Sequence, residues 1–405
     1  MYRRFPRWFV TSFLLSLTLT AFAVHAQQLT QGEAPAVPQV QIAGMPLAGT
    51  LDNRLIVYDG FGSPTEIELP GTVRGYRWNA AADTIAILAS GENGLELWVS
   101  VPADGRTFKL NTGALESFVP LFDADGNLIY VEQGDNRALS DAPYFARVMR
   151  IEPQDWAAPE QIGTLPLVLE CDGSGLDIDT ALLNGGEEGF LLAAATQVSA
   201  DTGFAGNAQM FELTPYGILH SLSCGGMGYG LFDPQTGNST PIPGAETLIR
   251  GALTPDGEAL IAIRWTFDPP QHEHTLVRLD LATGAITDLP TAHRPEQLTV
   301  APDGIVYYTS YADPAAAERT TSIYRYDPAS GGEQLVIERP DWFGVTRLTA
   351  PETTYLVFNA IPNASAMAAD QVSQVVLLAT DGSEAPQPIV SQLSLFTLPP
   401  VPAIP

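Results

Sequence analysis

"GALTPDGEALIAIRW", residues 251–265, joins a proline–aspartate–glycine turn to a run of small and apolar residues. Forty-seven residues later "LTVAPDGIVYYTSY", residues 298–311, places Pro302, Asp303 and Gly304 where the first stretch has Pro255, Asp256 and Gly257. A second marker keeps the same interval: Asp256 is followed after 24 residues by Asp280 of "LDLATGAITDL", and Asp303 after 24 by Asp327 of "YRYDPASGG". Catalysis needs one constellation, whereas a repeated fold needs repeated turns. The doubled spacing therefore marks a unit of four short strands, and the repeat class of that length is a propeller blade.

Weaker copies extend the pattern in both directions. "YRWNAAADTIAILAS" leads to "LELWVSVPADGRTFKL", and "FVPLFDADGNLIYVEQ", with Asp125 and Gly126 at its turn, leads to "ARVMRIEPQDW". "TRLTAPETTYLVFNA" leads to "SQVVLLATDGSEAPQPIV", and a long irregular unit holds "QMFELTPYGILHSLSCGGMGYGLFDPQTGNSTPI". The runs are β-rich and broken by Gly, Asp and Pro, and no long stretch carries a 3.6-residue period. The front segment "GMPLAGTLDNRLIVYDGFGSPTEIEL" offers outer strands without an inner partner, which "SQLSLFTL" near the end would supply. The expected fold is an all-β single propeller of seven blades, with six or eight as alternatives, closed by the N- and C-terminal strands. Closure removes the open sheet edges that would pair with other chains. Residues 43–398 form the ring, 27–42 a lead-in and 399–405 a proline-rich tail.

The first 26 residues set Arg3, Arg4 and Arg7 before an apolar run and end at "VHA", the order of a secretory signal peptide. A retained anchor is the other reading of that segment. Its removal leaves 16 basic residues against 46 acidic ones, a net charge of −30. Such a surface repels nucleic acid phosphates and anionic lipid and tolerates basic partners. Cys171 and Cys224 are the only cysteines. In an exported chain one disulfide between them would stabilise by roughly 3–4 kcal/mol; two free buried thiols are the alternative.

The Pro-Asp-Gly turn before an aliphatic strand, followed by "SIYRYDPASGG" or "LVRLDLATG", resembles the WD40-like (PD40) repeats of the TolB propeller family. The family's Ser-Pro-Asp-Gly-Lys becomes Thr254, Pro255, Asp256, Gly257 and Glu258 in one unit and Ala301, Pro302, Asp303, Gly304 and Ile305 in another. The resemblance implies a periplasmic or other envelope location and covers residues 45 to 398, with its motif strong in those two units. The first units and the Cys171–Cys224 region depart from the pattern.

Individual motifs have bland readings beside sharp ones. "DADGN", Asp123–Asn127, gathers oxygen donors but lacks the later bidentate glutamate of a calcium loop, so a hairpin turn is expected. In "QHEHT", His272 and His274 would share one face of a strand without a visible third metal ligand. "CGGMGYG", residues 224–230, lacks the lysine and following helix of a phosphate loop, and its Gly225, Gly226 and Tyr229 read as a candidate wall of a binding surface. Ser174 in "CDGSGLD" lacks the strand-to-helix elbow of a serine hydrolase. Tyr76, Trp78, Trp98, Phe118, Trp156, Trp265, Tyr307, Tyr308 and Trp342 suit packing between blades better than a ligand surface. Asn238 and Asn363 satisfy the glycosylation sequon.

No catalytic, cofactor or metal constellation assembles in the sequence. The expectation is a secreted or periplasmic noncatalytic propeller that binds a protein, peptide or glycan, or serves as an envelope scaffold, with no membrane span after signal removal and no nucleic acid partner. The alternative is a carbohydrate lyase or hydrolase whose acids converge at the propeller axis.

Overall fold

Runs such as "IAILA", residues 85–89, cannot be half-buried strands, because they leave no polar face; in this chain they are second strands of sheets covered on both sides. The computed structural model describes residues 47–51, 54–58, 64–134, 144–153, 156–167, 210–222, 228–268, 271–312, 319–363, 374–391 and 396–397. Among these residues 28 strands form seven four-stranded antiparallel sheets, a seven-bladed propeller.

The chain opens with β1 (Leu47–Leu51), β2 (Arg54–Tyr58) and β3 (Pro64–Glu68). Blade 2 follows as β4 (Val73–Trp78), β5 (Ile85–Gly91), β6 (Gly94–Val101) and β7 (Arg106–Lys109). Blade 3 is β8 (Leu121–Phe122), β9 (Leu128–Glu132), β10 (Tyr144–Ile151) and β11 (Glu160–Leu167). Blade 4 is β12 (Phe211–Thr214), β13 (Gly217–Ser221), β14 (Tyr229–Asp233) and β15 (Asn238–Pro241). Blade 5 is β16 (Leu248–Leu253), β17 (Ala259–Asp268), β18 (Gln271–Asp280) and β19 (Ile286–Leu289). Blade 6 is β20 (Leu298–Val300), β21 (Val306–Tyr311), β22 (Thr321–Asp327) and β23 (Gly332–Arg339). Blade 7 is β24 (Trp342–Thr349), β25 (Tyr355–Pro362), β26 (Gln374–Ala379) and β27 (Gln387–Ser391). The last strand, β28 (Phe396–Thr397), pairs with β1 through Ala48–Thr397 and Gly49–Phe396 and completes blade 1. The terminal strands thus close the ring, and seven replaces the six and eight that the spacing left open.

First strands of neighbouring blades approach one another, β4 and β12 each meeting β8, and β16 and β24 each meeting β20, so they surround the axis. The core lies between blades rather than within one. Ala86, Leu97 and Val99 of blade 2 pack on Leu128, Tyr130 and Ile151 of blade 3. Leu219 and Tyr229 of blade 4 meet Leu248, Leu260 and Val277 of blade 5. Ile261 and Leu276 of blade 5 meet Val306, Tyr308 and Tyr326 of blade 6. Outermost strands alternate toward solvent, as in β15 and β23.

Antiparallel order gives the ring two unlike faces. On one, the turn face, the first and second strands of a blade are joined by tight turns, as are the third and fourth. On the other, the connection face, blades follow one another and second strands pass to third. The stretches between β7 and β8, β9 and β10, β11 and β12, and β25 and β26 are the longest by their bounds, and each joins strand ends on that face.

Candidate functional site

The acidic turns of the sequence lie on the turn face. Asp256 Oδ1 accepts hydrogen bonds from Thr254 Oγ1 and from the Glu258 amide, and Asp303 Oδ1 accepts from the Ile305 amide. Asp123 Oδ1 accepts from the Asp125 and Asn127 amides. Gly126, Gly257 and Gly304 have φ of 81°, 69° and 82°, a left-handed backbone that glycine adopts without strain. Pro255 and Pro302 precede the two turn aspartates of blades 5 and 6. At the outer hairpins Asp233, Asp280 and Asp327 each bind a Thr or Ser three residues on. The Thr254 hydroxyl and Glu258 amide hold the Asp256 carboxyl below its ordinary range, and the hairpin aspartates are lowered by the same kind of bonds. These carboxylates are occupied locally. Asp233 of "FDPQTGN" also stands 47 residues before Asp280, a third register mark inside the unit that sequence reading leaves irregular.

Two charged groups that come together from distant sequence involve the innermost strands. Arg77 of β4 reaches across blade 3 to Glu212 of β12, its two terminal nitrogens on the two carboxylate oxygens, one pair at 2.6 Å. Burial pulls the Arg77 guanidinium down, but the charge of Glu212 and its hydrogen bond outweigh that and hold it above its ordinary value.

Glu296, just before β20, is nearly inaccessible. Arg250 Nη1 of β16 donates to its backbone oxygen at 2.6 Å and lies 3.5 Å from Oε2. Arg294 Nε stands 3.0 Å from Oε1, and His274 Nδ1 of β18 stands 3.4 Å from Oε2. Burial pushes the Glu296 carboxyl up, yet His274, Arg294 and Arg250 together hold it below its ordinary range. His274 Nε2 lies 3.3 Å from Arg294 Nη2; a guanidinium only donates, so the ring proton sits on Nδ1, facing the Pro295 oxygen at 3.1 Å. Both ring nitrogens of His274 are therefore engaged by protein groups. The His272 side chain lies outside the described ones, and among the described residues no three His, Cys, Asp or Glu gather as metal ligands.

Beside this cluster, buried Arg319 stacks its guanidinium 4.1 Å from the Phe343 ring centre and 5.2 Å from that of Tyr311. Its amide donates to Asn363 Oδ1, and Asn363 Nδ2 donates back to the Arg319 oxygen. Asn363 is thus buried, with its side-chain oxygen and nitrogen both bonded, whereas Asn238, the other sequon asparagine, is exposed. Tyr229 is corrected too. It lies in β14 with 1% exposure, packed among Leu219, Leu248 and Leu260, because alternation along β14 turns its ring into the blade 4–5 core, not toward a ligand. Cys171, Ser174, Cys224, Gly225 and Gly226 lie outside the described residues. Tyr76, Trp78, Phe118, Tyr307, Tyr308 and Trp342 are core.

No protein-family model matches the chain, and no curated protein matches it. Solved structures do. The propeller domain of the Trilobed protease from Pyrococcus furiosus, described as having an open velcro topology, is 11% identical with a TM-score of 0.50, over 87% of this chain and 98% of that one. The likeness is one of fold. The acylaminoacyl peptidase of Pyrococcus horikoshii is 11% identical with a TM-score of 0.52, over 88% of this chain and 52% of its own. TolB from Acinetobacter baumannii is 12% identical with a TM-score of 0.43, over 96% and 71%. Among the described residues no helix is long and apolar enough to cross a membrane.

Proposed function

We propose that the chain is an exported, noncatalytic propeller of the TolB-like (PD40) kind that binds a protein, peptide or glycan partner in the cell envelope or outside it. In this reading residues 1–26 are a cleaved signal, 27–42 a lead-in, 43–398 the ring and 399–405 a tail. The observation that carries it is the state of the axial carboxylates. Glu212 and Glu296 are each held by arginine, one in a bidentate fork and one among two guanidiniums and a histidine. Carboxylates fixed in this way present an ordered pattern of charge, the requirement for recognition, while general acid–base work asks for a proton that can move near neutral pH. Binding then falls on the axis and connection face, since the turn face spends its carboxylates on its own backbone. Capture of partners by the mature protein, followed by direct titration, tests this: a saturable partner is expected, and turnover of a substrate without any such partner would reject it.

A further inference from the structure

Residues 290–297 link the outer strand of blade 5 to the inner strand of blade 6, and two histidines hold this segment in opposite ways. Near its start the Glu333 carboxylate of β23 accepts from the Ala292 amide at 2.9 Å and from His293 Nδ1 at 2.6 Å. The His293 ring stacks on Tyr324, centres 4.1 Å apart, and Tyr324 stacks on Tyr308. Near its end the Glu296 amide donates to the Thr309 oxygen at 2.9 Å. Arg250 of β16, whose backbone is left-handed at φ 48°, holds Glu296 from the other side. Between these anchors Arg294 lies against His274, Nη2 to Nε2 at 3.3 Å.

The two rings answer a second proton differently. His293 directs Nδ1 at Glu333 and keeps 45% of its side chain exposed, so a proton arriving on Nε2 meets water. Its contact with Glu333 survives and becomes an ion pair. His274 carries its ring proton on Nδ1, toward the Pro295 oxygen and Glu296, and its Nε2 lone pair accepts from Arg294. Among the described residues nothing else bonds that nitrogen. A guanidinium has no lone pair to offer, so a proton on Nε2 sets two donors face to face. It also gathers three cations, His274, Arg294 and Arg250, around the one carboxylate of Glu296. Beyond Glu296 stand Tyr311 of β21 and Arg319, neither of which adds an anion near neutral pH, and Trp265, opposite His274 on β17, is uncharged. Glu296 is buried and bonded through its amide, and Arg250 is bonded to the Glu296 backbone. Arg294 keeps 31% of its side chain in solvent, and it is the group with somewhere to go.

We infer that residues 290–297 form an acid-sensitive strap, in which proton uptake by His274 drives Arg294 from its place beside the ring and turns the guanidinium outward. The proton comes from solvent onto Nε2, and its loss at higher pH lets Arg294 return. Imidazole side chains change charge between about pH 8 and pH 5, which is the span over which the strap acts. The His293–Glu333 anchor tightens over the same span and confines the movement to the arginine. The device does not depend on what the ring binds.

The test is modification of arginines by phenylglyoxal at about pH 8 and about pH 6, read by mass spectrometry as the ratio of Arg294 to Arg106 labelling in one sample. Arg106, exposed beside Asp104, cancels the pH dependence of the reagent itself. The ratio should rise about threefold or more at the lower pH. His274→Gln cannot take up the proton and leaves an amide oxygen for Arg294, so its ratio should stay constant, while His293→Gln should follow the parent. Nitrogen NMR of the histidine rings in the parent, which needs no variant, should show neutral His274 protonated on Nδ1. A flat ratio in the parent, the same rise in His274→Gln, loss of the rise in His293→Gln, or neutral His274 protonated on Nε2 would each overturn the inference. Partner capture, which tests the binding-module reading, is untouched by any of these results.

Discussion

Asp256 and Glu296 are both carboxylates held below their ordinary pKa, and they differ in almost everything else. Asp256 is exposed on the turn face and bonds to residues two positions away, Thr254 and Glu258. Glu296 is buried toward the axis and is held by Arg250, His274 and Arg294, the first two from blade 5. One carboxylate shapes the hairpin that contains it, and its motif repeats with the blade. The other ties neighbouring blades together and occurs once. The ring thus separates repeated architecture from singular chemistry by face.

The largest expected difference follows from removing each charge. Glu296→Gln removes the buried carboxylate that holds two part-buried guanidiniums and a histidine, and should cost about 3 kcal/mol in denaturant unfolding. Asp256→Asn keeps a local acceptor on an exposed turn and should move the same midpoint least of all the substitutions considered. Equal losses at the two sites would break the comparison.

Acid separates a buried group from the turns next. His220 of β13 sits between the Ser221 oxygen at 3.0 Å and Ser239 Oγ at 2.6 Å, and burial lowers its pKa to about 4. The unfolded ring titrates near 6.5, so the unfolded chain binds the extra proton and stability falls as pH drops from 6.5 toward 4. The loss should reach about 3 kcal/mol by pH 4. His220→Gln should flatten that slope. The turn aspartates act lower: their lowered pKa contributes stability above the ordinary carboxylate value, lost as pH falls through the folded one. Unfolding midpoints followed from pH 7 to 3 should show two separate declines, of which only the first disappears in His220→Gln.

A smaller effect than the acid-dependent loss belongs to the axial fork. Arg77 and Glu212 keep 29% and 35% of their side-chain surface exposed, so solvent screens the pair. A double-mutant cycle with Arg77→Gln and Glu212→Gln should give a coupling of about 1 kcal/mol or less, reduced by salt. A coupling as large as the Glu296 loss would place the two axial carboxylates in one class.

The same contrast explains what could be read from the sequence. Turns recur because every blade needs them, so Asp256 and Asp303 announce the fold, and Asp233, Asp280 and Asp327 would have set the register of three blades. Ring closure was legible because the front segment lacked an inner strand. The axial groups carry no such mark. Arg250, His274, Arg294 and Glu296 meet only after two blades are stacked, and an arginine gives no sequence sign of a left-handed backbone. "QHEHT" shows a pair of histidines in sequence, whereas the partner of His274 in space lies twenty residues away in Arg294. Tyr229 misled because glycines precede it, while the alternation of β14 sets its direction.

The separation of faces is tested most directly by amide hydrogen exchange of the mature protein with and without a captured partner. Added protection in residues 290–297 and 342–349, on the connection face and along the axis, is the result expected. Protection confined to the turns at 254–258 and 301–305 would contradict it and return the repeated aspartates to a binding role.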